Sequence, residues 1–346
     1  MRAPIALIIV ALAILGALLH PFALLMTVMP FDSSSLQAFL TSAKSGIADL
    51  LGWAVVALLI VMLALVIRGR LAPGGSGGSH GSVSPIASTR MAVGIIAYNE
   101  AAAIAQLVHD FRAQPNVVDV IVVDNNSSDG TARLAQDGGA RVVHESKQGY
   151  GYACIRALRE GALVQQADVV VLVEGDGTFA ASDLAKFQAY IGQADMVVGT
   201  RVVRSLVDDG SQMDYFFTWG NIAVGTLLRL RFWHSQFLGT ASISDVGCTY
   251  RAIRRQALDR ILPDLTVGAN HFSPHMLLVA LYRQLSIIEI PVTLHRRIGL
   301  SKGAGRSFWA GLEVGLVMIW HILTYTPHRS SAAKSESPRV SNVARY

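Results

Sequence analysis

The sequence predicts an α/β domain on a mostly parallel sheet with helices on both faces, preceded by a two-helix transmembrane hairpin and followed by an apolar interfacial helix. Two observations predict the domain. Short runs that are apolar throughout alternate with helical stretches, and the polar motifs sit where those runs end. Strands buried on both faces read as continuous apolar runs, and parallel sheets bind ligands at the carboxyl ends of their strands. A third observation predicts the membrane parts: the mean hydropathy is +0.42 with only 15% charged residues, too apolar for an ordinary soluble chain, although the centre has normal globular composition.

The hairpin occupies 1–70. Ala3 to Phe31 and Leu50 to Ile67 contain no Asp, Glu, Lys or Arg, and each is long enough to cross a hydrocarbon core of ~30 Å, giving spans of about 4–29 and 48–67. A cleaved signal peptide is the alternative for the first run, but the run is about twice a normal apolar core of such a signal. The segment between the spans carries Asp32 and Lys44, whereas Arg68, Arg70 and Arg90 follow the second. That asymmetry predicts both ends of the hairpin inside, hence a multi-pass protein of a bacterial-type plasma membrane with its globular part in the cytoplasm. Residues 71–89, with Gly-Gly-Ser-Gly-Gly-Ser and two prolines, form a flexible linker. The globular domain spans 90–305.

Within it, Met91 to Ala97 is a first strand ending in Tyr98-Asn99-Glu100, and Val117 to Val123 a second ending at Asp124. A third, Val169 to Val173, ends in Glu174-Gly175-Asp176, and Asp195 to Gly199 is a fourth. Two carboxylates one residue apart at a strand end can share a divalent ion with a diphosphate. Asn99 and Asp129 also suit helix capping. Cys154 and Cys248 fall in segments that read as buried, and no Cys/His cluster suggests a zinc site. The excess of 29 basic over 24 acidic residues is modest, and no nucleic-acid reader motif is present.

Tyr215 to Leu238 mixes aromatic residues with Arg229 and Arg231, reading either as a membrane-interface segment or as a buried core helix. Residues 306–326 form an apolar helix that lies in the interface, because as a third span it would bury Glu313 and place the basic tail outside. The tail, 327–346, reads as disordered and basic.

Six motifs occur in the order found in family 2 glycosyltransferases. They are Ala97 to Glu100, Val123 to Thr131, Lys147 to Gly151, Glu174 to Thr178, Asp245 to Arg251, and Arg296 through Ser301-Lys302-Gly303. From Met91 to about Arg306 the chain resembles that family, and within it the dolichyl or polyprenyl phosphate hexose synthase branch. The resemblance implies a GT-A, Rossmann-like fold and inverting hexose transfer from a UDP- or GDP-sugar to a polyprenyl or dolichyl phosphate at the membrane, either as a monomer or as a homo-oligomer. It places Ala97, Tyr98, Asn99, Glu100, Asp124, Asn126, Asp129, Lys147, Gly149 and Gly175 around the nucleotide sugar, and Glu174 and Asp176 on Mg²⁺ or Mn²⁺. Glu174 stands where most members have Asp, which makes Asp176 the firmer ligand. Arg201, Arg204, Arg251, Arg296, Ser301 and Lys302 are implied around the diphosphate and the acceptor phosphate, whereas Arg254, Arg255 and Arg297 read as surface residues.

Asp176 and Asp245 are the catalytic candidates. A phosphate acceptor is already ionised and needs positioning more than a base, so Asp245 reads as an orienting or sugar-binding residue, with general base as the alternative. Other readings are transfer to a saccharide or small molecule and a non-catalytic scaffold. A processive synthase is disfavoured by the absence of a Gln-x-x-Arg-Trp element, and a nucleotidyltransferase by Tyr98-Asn99-Glu100 where a Gly-rich phosphate loop would stand.

Overall fold

Along the chain run β1 (Met91–Ala97), α1 (Ile104–Arg112), β2 (Val117–Asp124), α2 (Thr131–Asp137), β3 (Arg141–His144), α3 (Tyr150–Ala162), β4 (Val169–Glu174), α4 (Leu184–Ile191), β5 (Met196–Thr200), α5 (Tyr215–Arg231), β6 (Arg251–Arg254), α6 (Arg255–Ile261), α7 (Phe272–Tyr282), β7 (Ile287–Pro291) and α8 (Phe308–Thr324). This computed structural model describes residues 89–211, 213, 215–232, 243–299 and 307–327. All belong to the second of the two units into which the chain divides, Ala72–Tyr346. The expected spans at 4–29 and 48–67, the linker before residue 89 and the tail beyond 327 lie outside the described residues. Among the described residues no helix is long and apolar enough to cross a membrane.

The strands form one sheet in the order β3-β2-β1-β4-β6-β5-β7. All run parallel except β6, which is antiparallel to both β4 and β5. The apolar runs become strands because successive side chains point to opposite faces and both faces are covered. In β4, Val169, Val171 and Val173 pack into one cluster with α1 and α4, while Val170 and Leu172 pack into the other with α3, α7 and α8. Neither β3 nor β6 is visible as an apolar run: each has only four residues, two of them apolar and both bounded by basic side chains. Arg254 at the end of β6 donates to the carbonyls of Ile191, Gly192 and Ala194, capping the end of α4. Arg255 reaches the carbonyls of Val164 and Gln165 from a more exposed position. Cys154 and Cys248 are free and buried.

Two helices complete one side of the domain. Val224, Leu228 and Phe232 of the α5 region are buried, whereas Trp219 is 66% exposed. Arg231 takes the buried-helix alternative at its end of the segment: it is fully buried and donates to Tyr282 Oη and to the Tyr325 carbonyl, each at 2.5 Å. It thereby joins α5, α7 and the end of α8. A second tie is the 3.1 Å hydrogen bond between His275 Nδ1 on α7 and His321 Nε2 on α8, with the rings of His271 and Tyr325 packed against His321. Glu313 stays exposed on the outer side of α8.

Burial lowers the pKa of both His275 and His321 from 6.5 to about 4, the neighbouring imidazole adding to the shift at His321. In the unfolded chain each ring takes up its proton near 6.5, so the folded state is favoured fully above that pH and loses this contribution as pH falls from about 6.5 towards 4. The melting temperature is expected to decline across that window, and His275→Gln to flatten the decline. Melting curves that superimpose at pH 7 and pH 5 in the parent chain would contradict this account.

Candidate active site

A cavity of about 570 Å³ opens at the carboxyl ends of β1, β4 and β5. Its polar end is lined by Tyr98, Glu100, Glu174, Asp176, Arg201 and Arg297, and its other walls by α5 and α8, including Phe216, Phe217, Val224, Leu312, Leu316 and Ile319. The polar residues arrive there because parallel strands end together, which leaves the first turn after each strand facing the same space.

The turns after β1 and β2 are stitched to each other. Asn99, at φ 54°, accepts from the Ser128 amide at 2.7 Å, and its own amide donates to Ser127 Oγ. Asparagine tolerates this left-handed conformation better than most residues. The Glu100 amide donates to Thr131 Oγ1 at 2.8 Å. Asp129 accepts from the Thr131 amide and from the Ala101 amide, a role in holding the start of α2. Asp124 is buried and is not among the residues that line the cavity; the Ser127 amide and His144 are its partners. Asn126 donates to Ser146 and Gln148.

Asn125 lines the cavity itself. Its amide nitrogen donates to the carbonyls of Glu145 and Lys147, and its oxygen accepts from the Gly149 amide at 2.9 Å. That places the Lys147–Gly151 loop. Gly149 is at φ 150°, and a side chain there or at Gly151 would collide with the backbone of Gly268 and Val267, so these glycines serve a close approach within the protein. Gly149 still borders the cavity; the Lys147 ammonium instead lies 5.6 Å from the Tyr152 ring.

Asp176 is 3% exposed. Its Oδ1 accepts from the amide and hydroxyl of Thr178 at 3.1 and 2.6 Å, and its Oδ2 from Arg297 Nη1 at 2.5 Å. Arg297 also pairs with Glu100. The surface reading of Arg297 is thus corrected: the loop after β7 turns it inward, pinned by the His295 amide on the Thr178 carbonyl and the Ile298 amide on the Asp176 carbonyl. Glu174 accepts from Thr249 Oγ1, which Tyr150 Oη contacts in turn. Burial, with Asp176 beside it, raises the Glu174 carboxyl to about 7. Asp176 and Glu174 are the carboxylates at this strand end that could ligate a hard divalent cation, and both are engaged here, Asp176 by Thr178 and Arg297 and Glu174 by Thr249. Among the described residues no group of three or more His, Cys, Asp and Glu could hold a metal.

Asp245 is fully buried and binds Arg201 through Nε at 2.7 Å and Nη2 at 2.8 Å. Burial alone would raise its pKa, but the Arg201 guanidinium holds it below the usual value. The pairing with Arg201 accords with the orienting reading of Asp245: it holds Arg201, whose side chain lines the cavity. Glu289 fixes the segment in turn, accepting from the amides of Ser244 and Asp245 at 2.8 and 3.0 Å.

Ala97, Tyr98, Glu100, Gly149, Glu174, Gly175, Asp176 and Arg201 of the expected site line the cavity. Arg251 does not: it is buried, and donates to the carbonyls of Val246, Cys248 and Ser273, which corrects the expected phosphate contact. Arg204 is also turned away, towards Met213 and Asp209, and Arg296 is exposed. Ser301 and Lys302 lie outside the described residues. The sequence names Asn125 only within a motif, reads Arg297 as a surface residue and gives Glu289 no role. A carboxylate inside the apolar run Ile287–Pro291 was the available signal for Glu289, since such a group is buried only with partners.

Asp245→Asn would leave the Arg201 guanidinium without its countercharge at a buried position. A loss of folding stability on the order of 3 kcal/mol is expected, read by denaturant unfolding. A loss below about 0.5 kcal/mol would mean the pair is not the anchor described.

The Glycosyl transferase family 2 domain matches residues 92–262. A dolichyl-phosphate hexose transferase of Haloferax volcanii is 31% identical over 61% of this chain and 86% of its own length. The polyprenol monophosphomannose synthase of Mycolicibacterium smegmatis is 28% identical over 67% of this chain and 86% of its own. Glycosyltransferase AglJ of Haloferax volcanii is 39% identical, but over only 30% of this chain and 33% of its own length. Among solved structures, glucosyl-3-phosphoglycerate synthase of Mycobacterium tuberculosis, in complex with Mn²⁺, UDP-glucose and phosphoglyceric acid, shares the fold. Its TM-score is 0.52 at 17% identity, over 73% of this chain and 85% of that one.

Proposed function

The chain belongs to glycosyl transferase family 2, and from that membership we propose that it moves a hexose from a UDP- or GDP-sugar to a polyprenyl or dolichyl phosphate, with inversion, at the cytoplasmic face of a membrane. One observation carries the choice of acceptor. The cavity that holds Asp176, Arg201 and Arg297 at one end continues between α5 and α8, whose lining side chains are almost all apolar. A soluble, highly hydroxylated acceptor has no use for such walls, whereas a prenyl chain gains from them roughly 25 cal/mol for each Å² removed from water. The names of two relatives, a dolichyl-phosphate hexose transferase and a polyprenol monophosphomannose synthase, support the same acceptor class. Exposed Trp219, Phe308, Trp309 and Val317 suit the boundary between headgroups and acyl chains, which supports an interfacial role for 306–326.

In the proposed reaction an acceptor phosphate oxygen attacks the anomeric carbon while the bond to the nucleoside diphosphate breaks on the opposite face. The acceptor is already an anion, so no base is required, in keeping with the pairing of Asp245. Arg201, fixed by that pairing, offers preorganised positive charge to phosphate oxygens. Asp176 would hold Mg²⁺ or Mn²⁺, whose contribution is to neutralise charge on the departing diphosphate. Glu100 and Tyr98 border the space assigned to the nucleotide sugar.

Membranes containing the protein, given radiolabelled UDP- and GDP-hexoses, are expected to place label from one donor in organic-extractable, mild-acid-labile lipid, and Asp176→Ala to abolish it. Label confined to water-soluble product would overturn the lipid acceptor in favour of a saccharide or small molecule.

Gly220 and Gly315 both line the cavity with open space where a side chain would stand. Gly315→Phe is therefore expected to fill part of the apolar channel and raise KM for a long-chain acceptor about tenfold, with KM for the nucleotide sugar little changed. Equal effects on both constants would count against the channel.

A further inference from the structure

Arg297 makes contacts that a simple phosphate-binding residue would not need. Two of its donors are committed to carboxylates, Nη1 to Asp176 and Nη2 to Glu100. Its Nε is buried with no hydrogen-bond partner among the described residues. The loop that carries it is held to the Asp176–Thr178 turn by two main-chain hydrogen bonds, so the guanidinium is delivered to Asp176 by the backbone. The other guanidinium lining the cavity, Arg201, is already balanced by Asp245. Arg297 is therefore the countercharge for Glu100 and Asp176.

A divalent cation at Asp176 needs carboxylate oxygens. Oδ1 is engaged by Thr178 and Oδ2 by Arg297, while Glu174 is engaged by Thr249. A cation approaching alone would have to displace the guanidinium or sit beside it, two positive groups in a site shielded from water, where like charges repel strongly. A nucleoside diphosphate changes that balance. Its oxygens can compete for the Nη donors in the forked geometry that guanidinium groups favour, releasing Oδ2.

We propose that Arg297 is a displaceable counter-ion on Asp176, which makes divalent-cation binding depend on the diphosphate of the donor. The proposal rests on Asp176 as the metal ligand. It gives Arg297 a positioning role: it suppresses occupation of the site by metal alone and then passes to the leaving group. By thermodynamic reciprocity, cation and nucleotide each strengthen the other's binding by the same factor, and removal of the guanidinium lowers that factor.

The test is Mn²⁺ binding by the full chain in detergent, followed through the electron paramagnetic resonance signal of free Mn²⁺, with and without UDP or GDP. The parent is expected to bind Mn²⁺ about tenfold or more tightly when one diphosphate is present. Arg297→Gln is expected to bind Mn²⁺ alone about tenfold more tightly than the parent and to gain less from nucleotide. Arg297→Lys, which keeps the charge, should stay near the parent, and Asp176→Asn added to Arg297→Gln should erase the gain. Equal Mn²⁺ affinity in the parent with and without either diphosphate would overturn the proposal without recourse to any variant. So would an unchanged affinity in folded Arg297→Gln, or a gain that survives Asp176→Asn. If the parent binds no Mn²⁺ even with UDP or GDP, the metal assignment itself fails and the proposal with it.

Discussion

The buried pair of Arg201 and Asp245 is the contact on which the arrangement of the site depends. Arg201 follows β5 directly, and Asp245 lies in the segment that leads into β6, so their two hydrogen bonds join chain regions 44 residues apart. A buried ion pair gains little net stability over an apolar pair of similar shape, since desolvation offsets most of the attraction. Its value here is geometric. Two parallel bonds to a planar guanidinium fix direction as well as distance, and the Glu289 carboxylate extends the restraint to β7 through the amides of Ser244 and Asp245. The positive charge facing the cavity is thereby set by three separate parts of the sheet.

The carboxylates at the same edge are arranged on a different principle. Glu100, Glu174 and Asp176 border one cavity, and each finds a donor: Arg297 for Glu100 and Asp176, a threonine hydroxyl for Glu174. Burial and the proximity of Asp176 raise the Glu174 carboxyl to about 7, while Arg297 supplies positive charge to Glu100 and Asp176. A site of this kind holds several acidic groups without unfolding because its net charge is kept small. Charge brought by a ligand can then rearrange it.

The apolar half of the cavity depends on α8, and α8 depends on contacts made well away from the carboxylates. Arg231 reaches the Tyr325 carbonyl at its end, and His321 meets His275 of α7, a helix whose side chains are buried along most of its length. The two ties are polar and directional, whereas the wall that α8 presents to the cavity is apolar and adaptable. This division lets the helix be placed in one register while its inner face accommodates a flexible ligand. It also explains how a segment with the composition of a membrane-surface helix becomes part of an active-site wall.

Much of the catalytic half was legible in the sequence, because its chemistry follows from the strand ends. Apolar runs at Met91, Val117 and Val169 could only be strands buried on both faces, and a parallel arrangement then brought Tyr98, Glu100, Glu174 and Asp176 to one edge. What one sequence could not decide was the partner of each polar group. Arg251 and Arg297 are both arginines within recognised motifs, yet one is spent on three backbone carbonyls and the other faces two carboxylates. Asp245 reads from the sequence as an orienting or sugar-binding residue, and the group it holds, Arg201, is seen only in the fold. The physical reason is that periodicity and turn chemistry are local, set by neighbours along the chain, and so determine which residues stand at an edge. Hydrogen bonds and ion pairs between residues 44 or 121 positions apart are decided only when the sheet closes and the loops pack across it.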